Sequence, residues 1–190
     1  MSLATTAVDL QGFRAALGSF ASTVNVITFW DEFHRPRGMT ATAFSSVSAS
    51  PPQVLVCINR STRTYTDVIS GERFGINMLG VESQEISDYC ARAGADKDLH
   101  DEWLSSSTQW SSPALRRSLA FLDCKVVREV HAGTHAILIG EIDGIGLHER
   151  SSQLDPLVYY QGAYRTLQGV PERTAPRSLP ILLDDLVGSH

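Results

Sequence analysis

Hydroxyl groups and small side chains dominate one stretch of the sequence, GMTATAFSSVSASPPQVLVCINRSTRT, residues 38–64. Its end, NRSTRT, places Ser61, Thr62 and Thr64 beside two arginines, just before a predicted helix. The start of a helix presents unpaired N–H groups and the positive end of the helix dipole, so a phosphate group can bind there. The same residue types also cap helices, and taken alone this segment is better explained by capping.

The first half of this stretch predicts one strand from Gly38 to Ser50, ended by two prolines that cannot donate to a sheet ladder. Side-chain alternation divides the strand into two faces, neither of which carries a bulky apolar stripe. Small side chains let a flat ligand approach the backbone, although composition alone favours a partly solvated edge strand. A flat, polar-edged group beside a phosphate describes a flavin nucleotide, which is the ligand that the two halves together predict.

Two histidines four residues apart, His131 and His135 in HAGTH, have the spacing of metal ligands on a helix. The Ala-Gly-Thr between them is typical of a turn, and no third ligand cluster accompanies them. We therefore predict no metal site.

Composition restricts the class of protein. The chain has 190 residues, of which 43% are hydrophobic and 19% charged, so it can bury a core of ordinary size. Its net charge of −5 disfavours a nucleic-acid partner. We predict a cytoplasmic protein, because its three cysteines are widely spaced and its sequence shows no signal-peptide pattern. The sequence also has no long apolar run, which predicts that the protein does not enter a membrane.

Hydrophobic periodicity predicts the elements that position these residues. One helix, capped by Asp9, carries Leu10, Phe13, Leu17 and Phe20 on one face. A second begins at the capping-box pair Thr64 and Asp67, and a third covers ESQEISDYCARA. The predicted strands are STVNVITFW, 38–50, QVLVCIN, RFGINML, two long strands around HAGTH, and PLVYYQGAY. Most connections are too short for parallel crossovers, which predicts an antiparallel barrel with peripheral helices. Residues 1–167 form the predicted domain and 168–190 a C-terminal arm.

Five segments resemble the flavin reductases of the FMN-binding split-barrel type, which supply reduced flavin to two-component monooxygenases. They are STVNVITF, the whole stretch 38–64, SGERFGINML, GTHAILIGEI and PLVYYQGAYRTL, in the family's order from about residue 13 to 167. The long stretch is the specific signal. The resemblance implies a mainly β fold with peripheral helices, an antiparallel split β-barrel.

The resemblance also implies a set of site residues. Flavin contacts would come from Thr40, Ala41, Thr42, Phe44, Ser46, Val47, Cys57, Asn59, Phe74, Asn77 and Tyr164, and phosphate contacts from Ser61 and Thr64. His135 would position the nicotinamide. This chain departs from the family twice, with Thr42-Ala43 where Asn-Ser is common and Thr134 where an Asp usually precedes the histidine. An orienting contact from that Asp is therefore missing.

The activity implied is that of an NAD(P)H:flavin oxidoreductase, which transfers a hydride from NADH or NADPH to FMN or FAD. Its expected partners are a second copy of the chain, as a homodimer, and a flavin-dependent monooxygenase that receives the reduced flavin. A flavin carrier or sensor without turnover, an oxidase of the pyridoxamine-phosphate type and a small β-barrel interaction domain are the alternatives. The sequence does not decide between FMN and FAD or between NADH and NADPH.

Overall fold

The computed structural model describes residues 5–94, 98–107 and 109–167, so the predicted arm at 168–190 lies outside the described residues. The helices are α1 (Leu10–Gly18), α2 (Arg63–Gly71) and α3 (Gln84–Ala91), with single 3-10 turns at Val81–Ser83, Asp101–Trp103 and Ser151–Gln153. The strands are β1 (Ser22–Thr23), β2 (Asn25–Trp30), β3 (Pro36–Ala41), β4 (Phe44–Ala49), β5 (Pro52–Asn59), β6 (Arg73–Leu79), β7 (Ser118–Ala132), β8 (His135–Leu147), β9 (Val158–Tyr160) and β10 (Ala163–Arg165). Within these ranges no helix is long and apolar enough to cross a bilayer.

A seven-stranded antiparallel sheet, in the order β3-β2-β6-β7-β8-β5-β4, forms the body of the domain. A small sheet, β1-β9-β10, lies beside it. The two edge strands of the large sheet, β3 and β4, are consecutive in the chain and are separated only by Thr42 and Ala43. Because three peptide steps span about 11 Å at most, the sheet must curl until its edges approach each other. The result is an open barrel, which confirms the predicted antiparallel split-barrel class.

The single strand predicted from Gly38 to Ser50 is wrong, because the chain breaks at Thr42 and Ala43 and changes from one edge of the barrel to the other. Phe44 N donates to Thr42 O at 3.0 Å, a tight three-residue turn, and Cys57 N donates to Ala43 O at 3.2 Å. The two-face alternation therefore does not continue through the break. A bulge between Ser46 and Ser48 interrupts it again.

Two other segments show how local turn residues shape the sheets. HAGTH is the predicted turn, a two-residue hairpin loop in which Gly133 has φ 58°, a conformation that suits glycine. PLVYYQGAY, predicted as one strand, is instead the hairpin β9–β10. Its turn residues Gln161 and Gly162 both have positive φ, 50° and 75°, as a type I′ turn requires.

The core fills the barrel with fully buried side chains from β2, β5, β6 and β8, among them Ile27, Ile58, Phe74 and Leu138. Phe74 packs directly over Gly140, where an added Cβ would lie 2.6 Å from the Phe74 Cζ atom. A side chain at residue 140 would therefore collide with the largest fully buried residue of the barrel.

Polar side chains cap the first turns of α1 and α2, and one of the two predicted caps is wrong. Asp9 caps α1 as predicted, since its Oδ1 accepts from Gly12 N at 2.8 Å. The predicted capping box of α2 is wrong, because Thr62 is the N-cap and its hydroxyl accepts from Tyr65 N at 3.4 Å. Asp67 is thus free of any capping role.

Candidate active site

A cleft of about 650 Å³ opens where the start of α2 faces strands β2 and β3. Its lining residues are Phe29, Arg37, Gly38, Met39, Ser61, Thr62, Arg63, Thr64, Asp67, Ala93 and Gly94. Both predicted phosphate ligands, Ser61 and Thr64, lie in it. The structure thus brings the start of α2 next to Gly38 and Met39 of β3, although the two segments are more than twenty residues apart in the sequence.

The turn before α2 is held by the predicted site residue Asn59. Its Oδ1 accepts from Ser61 N at 3.0 Å and from Ser61 Oγ at 2.9 Å, and its carbonyl accepts from Thr62 Oγ1 at 2.7 Å. Thr62 in turn satisfies Tyr65 N. In the part of the chain that the structure describes, the first-turn amides of Arg63 and Thr64 have no acceptor, so the helix start can bind an anion.

A cluster of ion pairs fixes the arginines beside the cleft. Asp31 is 6% exposed, and its carboxylate accepts from Phe33 N at 3.0 Å, from Arg35 N at 2.9 Å and from the Arg35 guanidinium at 2.8 Å. Arg37 lies 3.6 Å and Arg63 3.9 Å from the same carboxylate. Burial opposes the ionisation of Asp31, but the hydrogen bonds from Arg35 and Phe33 outweigh it and hold its pKa below the usual value. The ionised Asp31 carboxylate therefore holds the neighbouring arginine side chains at this wall of the cleft.

His135 begins β8 and pairs with Asn59 of β5, so it lies beside the turn that leads into α2. Arg60 N donates to Thr134 O at 3.1 Å, which holds the hairpin tip against that turn. The Thr134 hydroxyl lies 2.9 Å from His135 Nδ1 and makes a hydrogen bond with it. Thr134 thus supplies an orienting contact where the Asp of the resemblance is missing. The imidazole is exposed and open to a ligand.

The other histidine of the hairpin, His131, contacts a carboxylate. His131 Nε2 lies 2.8 Å from the Glu129 carboxylate, which also accepts from the Tyr65 hydroxyl at 2.7 Å. These contacts join the hairpin to α2. His131 pairs with Ala136 in the sheet and not with His135. Over the described ranges, no group of three or more His, Cys, Asp or Glu side chains is arranged to hold a metal ion.

The remaining predicted residues form two further groups. Ala41, Thr42, Phe44, Ser46, Val47 and Cys57 lie along the seam where β3 passes into β4 beside β5. The seam is partly open, since Thr42 and Ser46 are exposed and Phe44 is half-buried. Thr40 and Tyr164 are both held by Ser87 of α3. Thr40 Oγ1 donates to Ser87 O at 2.6 Å, and Tyr164 OH lies 2.8 Å from Ser87 Oγ.

Phe74 and Asn77 are fully buried and do not line the cleft. Asn77 donates to Val26 O at 3.2 Å and accepts from Leu115 N at 2.8 Å and Ser118 Oγ at 3.2 Å. Its amide therefore joins the irregular segment before β7 to the sheet. Contact between either residue and a flavin stays a prediction.

Sequence reasoning missed two charged residues of the cleft, Arg37 and Asp67. Asp67 could have been found, since Arg63 and Asp67 have the i,i+4 spacing of a helical ion pair, and their side chains approach to 3.6 Å. Arg37 stands in a turn-like segment, DEFHRPRG, where nothing in the sequence marks it as buried.

The model of the flavin reductase like domain matches residues 17–168 of this chain. The chain belongs to the flavin reductase-like family. It is 36% identical over 163 residues to the FMN reductase (NADH) RutF of Pseudomonas syringae, with 85% of this chain and 88% of that protein covered. It is 34% identical over 157 residues to the reductase component of the flavin-dependent trigonelline monooxygenase of Acinetobacter baylyi, covering 83% of this chain. That match spans only about half of the relative, 49% of its length.

The family's solved structures share this fold. The flavin reductase PheA2 in its native state superposes with a TM-score of 0.75 at 32% identity, covering 85% of this chain and all of that one. In a member of this family, the start of α2, whose first amides can bind an anion, and the exposed His135 beside it are a candidate active site.

Proposed function

We propose that this protein is an NAD(P)H:flavin oxidoreductase that reduces FMN or FAD with NADH or NADPH and passes the reduced flavin to a partner monooxygenase. Membership of the family supports the reaction class. The observation that carries the proposal is the junction of two parts of the site. The phosphate-binding start of α2 is tied to the hairpin of His135 by the Asn59–His135 strand pair and by the bond from Arg60 N to Thr134 O.

A flavin held here would supply the electronic chemistry, as the acceptor of the hydride that the nicotinamide gives up. The chain's own residues bind and orient. The amides of Arg63 and Thr64, with the Thr64 hydroxyl, would hold the phosphate at the start of α2, and the Ser61 hydroxyl would join them by turning from Asn59 Oδ1. His135, fixed by Thr134, offers its exposed ring edge to the nicotinamide amide. No side-chain nucleophile is required, because the rate comes from holding the two rings face to face.

Small residues are important for the flat part of the flavin. Between Ala41 and Ser46 the only bulky side chain is that of Phe44, and the backbone carbonyl of Ala43 lies close to the β5 strand through its bond with Cys57 N. A ring system can therefore approach the backbone along this seam, where amide groups supply hydrogen bonds to its polar edge. The seam residues predicted from the resemblance have this role in the proposal.

We also propose that the protein forms a homodimer in the cytoplasm. Apolar side chains on and just after α1 support a partner, because Leu10, Phe13 and Leu17 of the helix and Phe20 beyond its end are each more than half exposed in the single chain. The three free cysteines are consistent with a reducing compartment.

Sedimentation velocity should give about twice the monomer mass of 20.8 kDa. Phe13→Glu should dissociate the pair, whereas Phe33→Glu, which changes a more exposed Phe on the β2–β3 turn, should not. A wild-type monomer would contradict the proposal.

The phosphate role is tested by a double variant, Ser61→Ala with Thr64→Ala. Each hydrogen bond to a charged group contributes about 1.5–3 kcal/mol, so the apparent KM for flavin in NADH oxidation should rise at least about tenfold. The matched control is Thr6→Ala with Ser106→Ala, which removes two exposed hydroxyls outside the cleft. An unchanged KM for flavin in the double variant would remove the helix start from the proposed site.

A further inference from the structure

Asp67 is a buried carboxylate that the fold does not satisfy. It is the fifth residue of α2, its side chain is 8% exposed, and it lines the cleft. Its Oδ2 atom accepts no hydrogen bond from any residue in the described ranges. The nearest cation is Arg63, whose Nε lies 3.6 Å away, too far for a hydrogen bond. An ionised oxygen in this position is costly unless a ligand donates to it.

Two structural explanations for Asp67 do not apply. It does not cap α2, because Thr62 performs that role. It does not organise a turn either, in contrast to Asp31, which accepts backbone bonds from Phe33 and Arg35 within the same cluster of ion pairs. Burial raises the pKa of Asp67, which is the direction expected for a carboxylate without donors. The residue is therefore maintained at a cost to the fold, as side chains that serve a ligand commonly are.

The cleft is larger than one phosphate requires. Its volume of about 650 Å³ is within the range of roughly 300–1,000 Å³ typical of sites that enclose a whole small molecule. Beyond the helix start, the half-buried Met39 gives the wall an apolar surface, while Ala93 and Gly94 leave it wide. Arg37 and Arg63 line the same space and are held by ion pairs with Asp31, Asp98 and Glu32.

FMN ends at its phosphate, whereas FAD continues into a second phosphate and an adenosine. If the flavin phosphate binds at the start of α2, only FAD extends into the rest of this cleft. A carboxylate is the group that dinucleotide-binding sites use to accept hydrogen bonds from the hydroxyls of a ribose. Asp67 places such a carboxylate in the cleft, and its Oδ2 atom accepts no hydrogen bond from the described residues.

We propose that this site is built for FAD, with Asp67 accepting hydrogen bonds from the adenosine ribose and with Met39 contacting the adenine. The inference rests on the proposed function, since it assumes that the flavin phosphate binds at the start of α2. It goes beyond that function by naming the preferred flavin and the residue that selects it.

The test compares the dissociation constants of FAD and FMN, measured by the change in flavin fluorescence, for the wild type and for Asp67→Ala. The wild type should bind FAD about tenfold or more tightly than FMN, because FAD adds the ribose contact. In Asp67→Ala the ratio of the two constants should fall by about tenfold, towards one. Glu32→Gln is the matched control, since it removes a carboxylate 3.2 Å from Arg63 that does not line the cleft. Its ratio should equal that of the wild type.

The outcomes separate this inference from the proposed function. Equal affinity for FAD and FMN in a wild type that oxidises NADH would overturn the FAD preference and leave the reductase in place. An Asp67→Ala variant with an unchanged flavin ratio but a raised KM for NADH would also overturn it, by assigning the ribose to the nicotinamide dinucleotide. Failure of the wild type to bind either flavin would refute the proposed function itself. Thermal unfolding of each variant shows that the fold is retained.

Discussion

Removal of the Asp31 carboxylate should destabilise the protein strongly. The side chain is fully buried and holds the β2–β3 turn through bonds from Phe33 N, Arg35 N and the Arg35 guanidinium. Asp31→Ala leaves the largely buried Arg37, 7% exposed, with one carboxylate partner fewer. Removing one partner of a buried ion pair typically costs about 3–5 kcal/mol.

The lower end of that range applies here. Arg35 is 39% exposed and can regain water, and Arg37 keeps its bond of 2.7 Å to Asp98. We therefore expect Asp31→Ala to lower the free energy of unfolding by about 3 kcal/mol, which for a chain of this size corresponds to a drop of roughly 6–12 °C in Tm. Urea unfolding at pH 7 measures the first quantity and differential scanning fluorimetry the second.

The dependence on pH gives a second readout of the same contact. The pKa of Asp31 lies below its usual value of 3.8, so its contribution is fully present above about pH 4 and is lost as pH falls through the lowered pKa. The difference between the wild type and Asp31→Ala should therefore be constant from pH 5 to 7 and shrink below pH 4.

The control is Glu32→Ala, on the same turn. Glu32 is 68% exposed and pairs with Arg63 at 3.2 Å, so its removal should cost about 0.5 kcal/mol or less. A loss below 1 kcal/mol for Asp31→Ala, or an equal loss for Glu32→Ala, would refute the view that the buried carboxylate organises this wall of the cleft.

Three further predictions concern other parts of the molecule. His135→Ala should raise the apparent KM for NADH about fivefold to tenfold while leaving the KM for flavin nearly unchanged, and Thr134→Val should act in the same direction more weakly; steady-state kinetics that do not change would remove the histidine from the site. Gly140→Ala should lower the free energy of unfolding in urea by about 1–3 kcal/mol, because the new Cβ would lie 2.6 Å from the Phe74 Cζ atom. A variant as stable as the wild type would show that Phe74 can move away without cost. Burial raises the pKa of the Cys124 thiol to about 12, so a disulfide reagent at pH 8 should modify it only after unfolding, and rapid reaction in the native protein would contradict this.

Local features of this fold were predictable from the sequence. Asp9 and the hydroxyls of 59–64 mark helix starts because capping depends on residues within one turn of chain. The glycine in HAGTH marks a hairpin because its backbone conformation is unfavourable for other residues. The stretch 38–64 carried the family resemblance, and with it the class of the fold.

Non-local features were not predictable in the same way. The break at Thr42 and Ala43 carries no glycine or proline, and it exists because the barrel brings its two edges together there. The i,i+4 spacing of Asp67 with Arg63 is local, but its burial in the cleft depends on β2 and β3, which are distant in the sequence. Asn77 finds its partner Leu115 N at a separation of 38 residues, which no local pattern shows.

The account depends on hydride transfer from a nicotinamide to a flavin bound at the start of α2. The most direct measurement mixes the protein, loaded with FAD or FMN, with NADH under anaerobic conditions and follows the absorption of the oxidised flavin. The account predicts that this band disappears as one NADH is consumed for each flavin, and that His135→Ala slows the step at low NADH. A protein that binds flavin and leaves it oxidised in excess NADH or NADPH would be a carrier and would contradict the central claim.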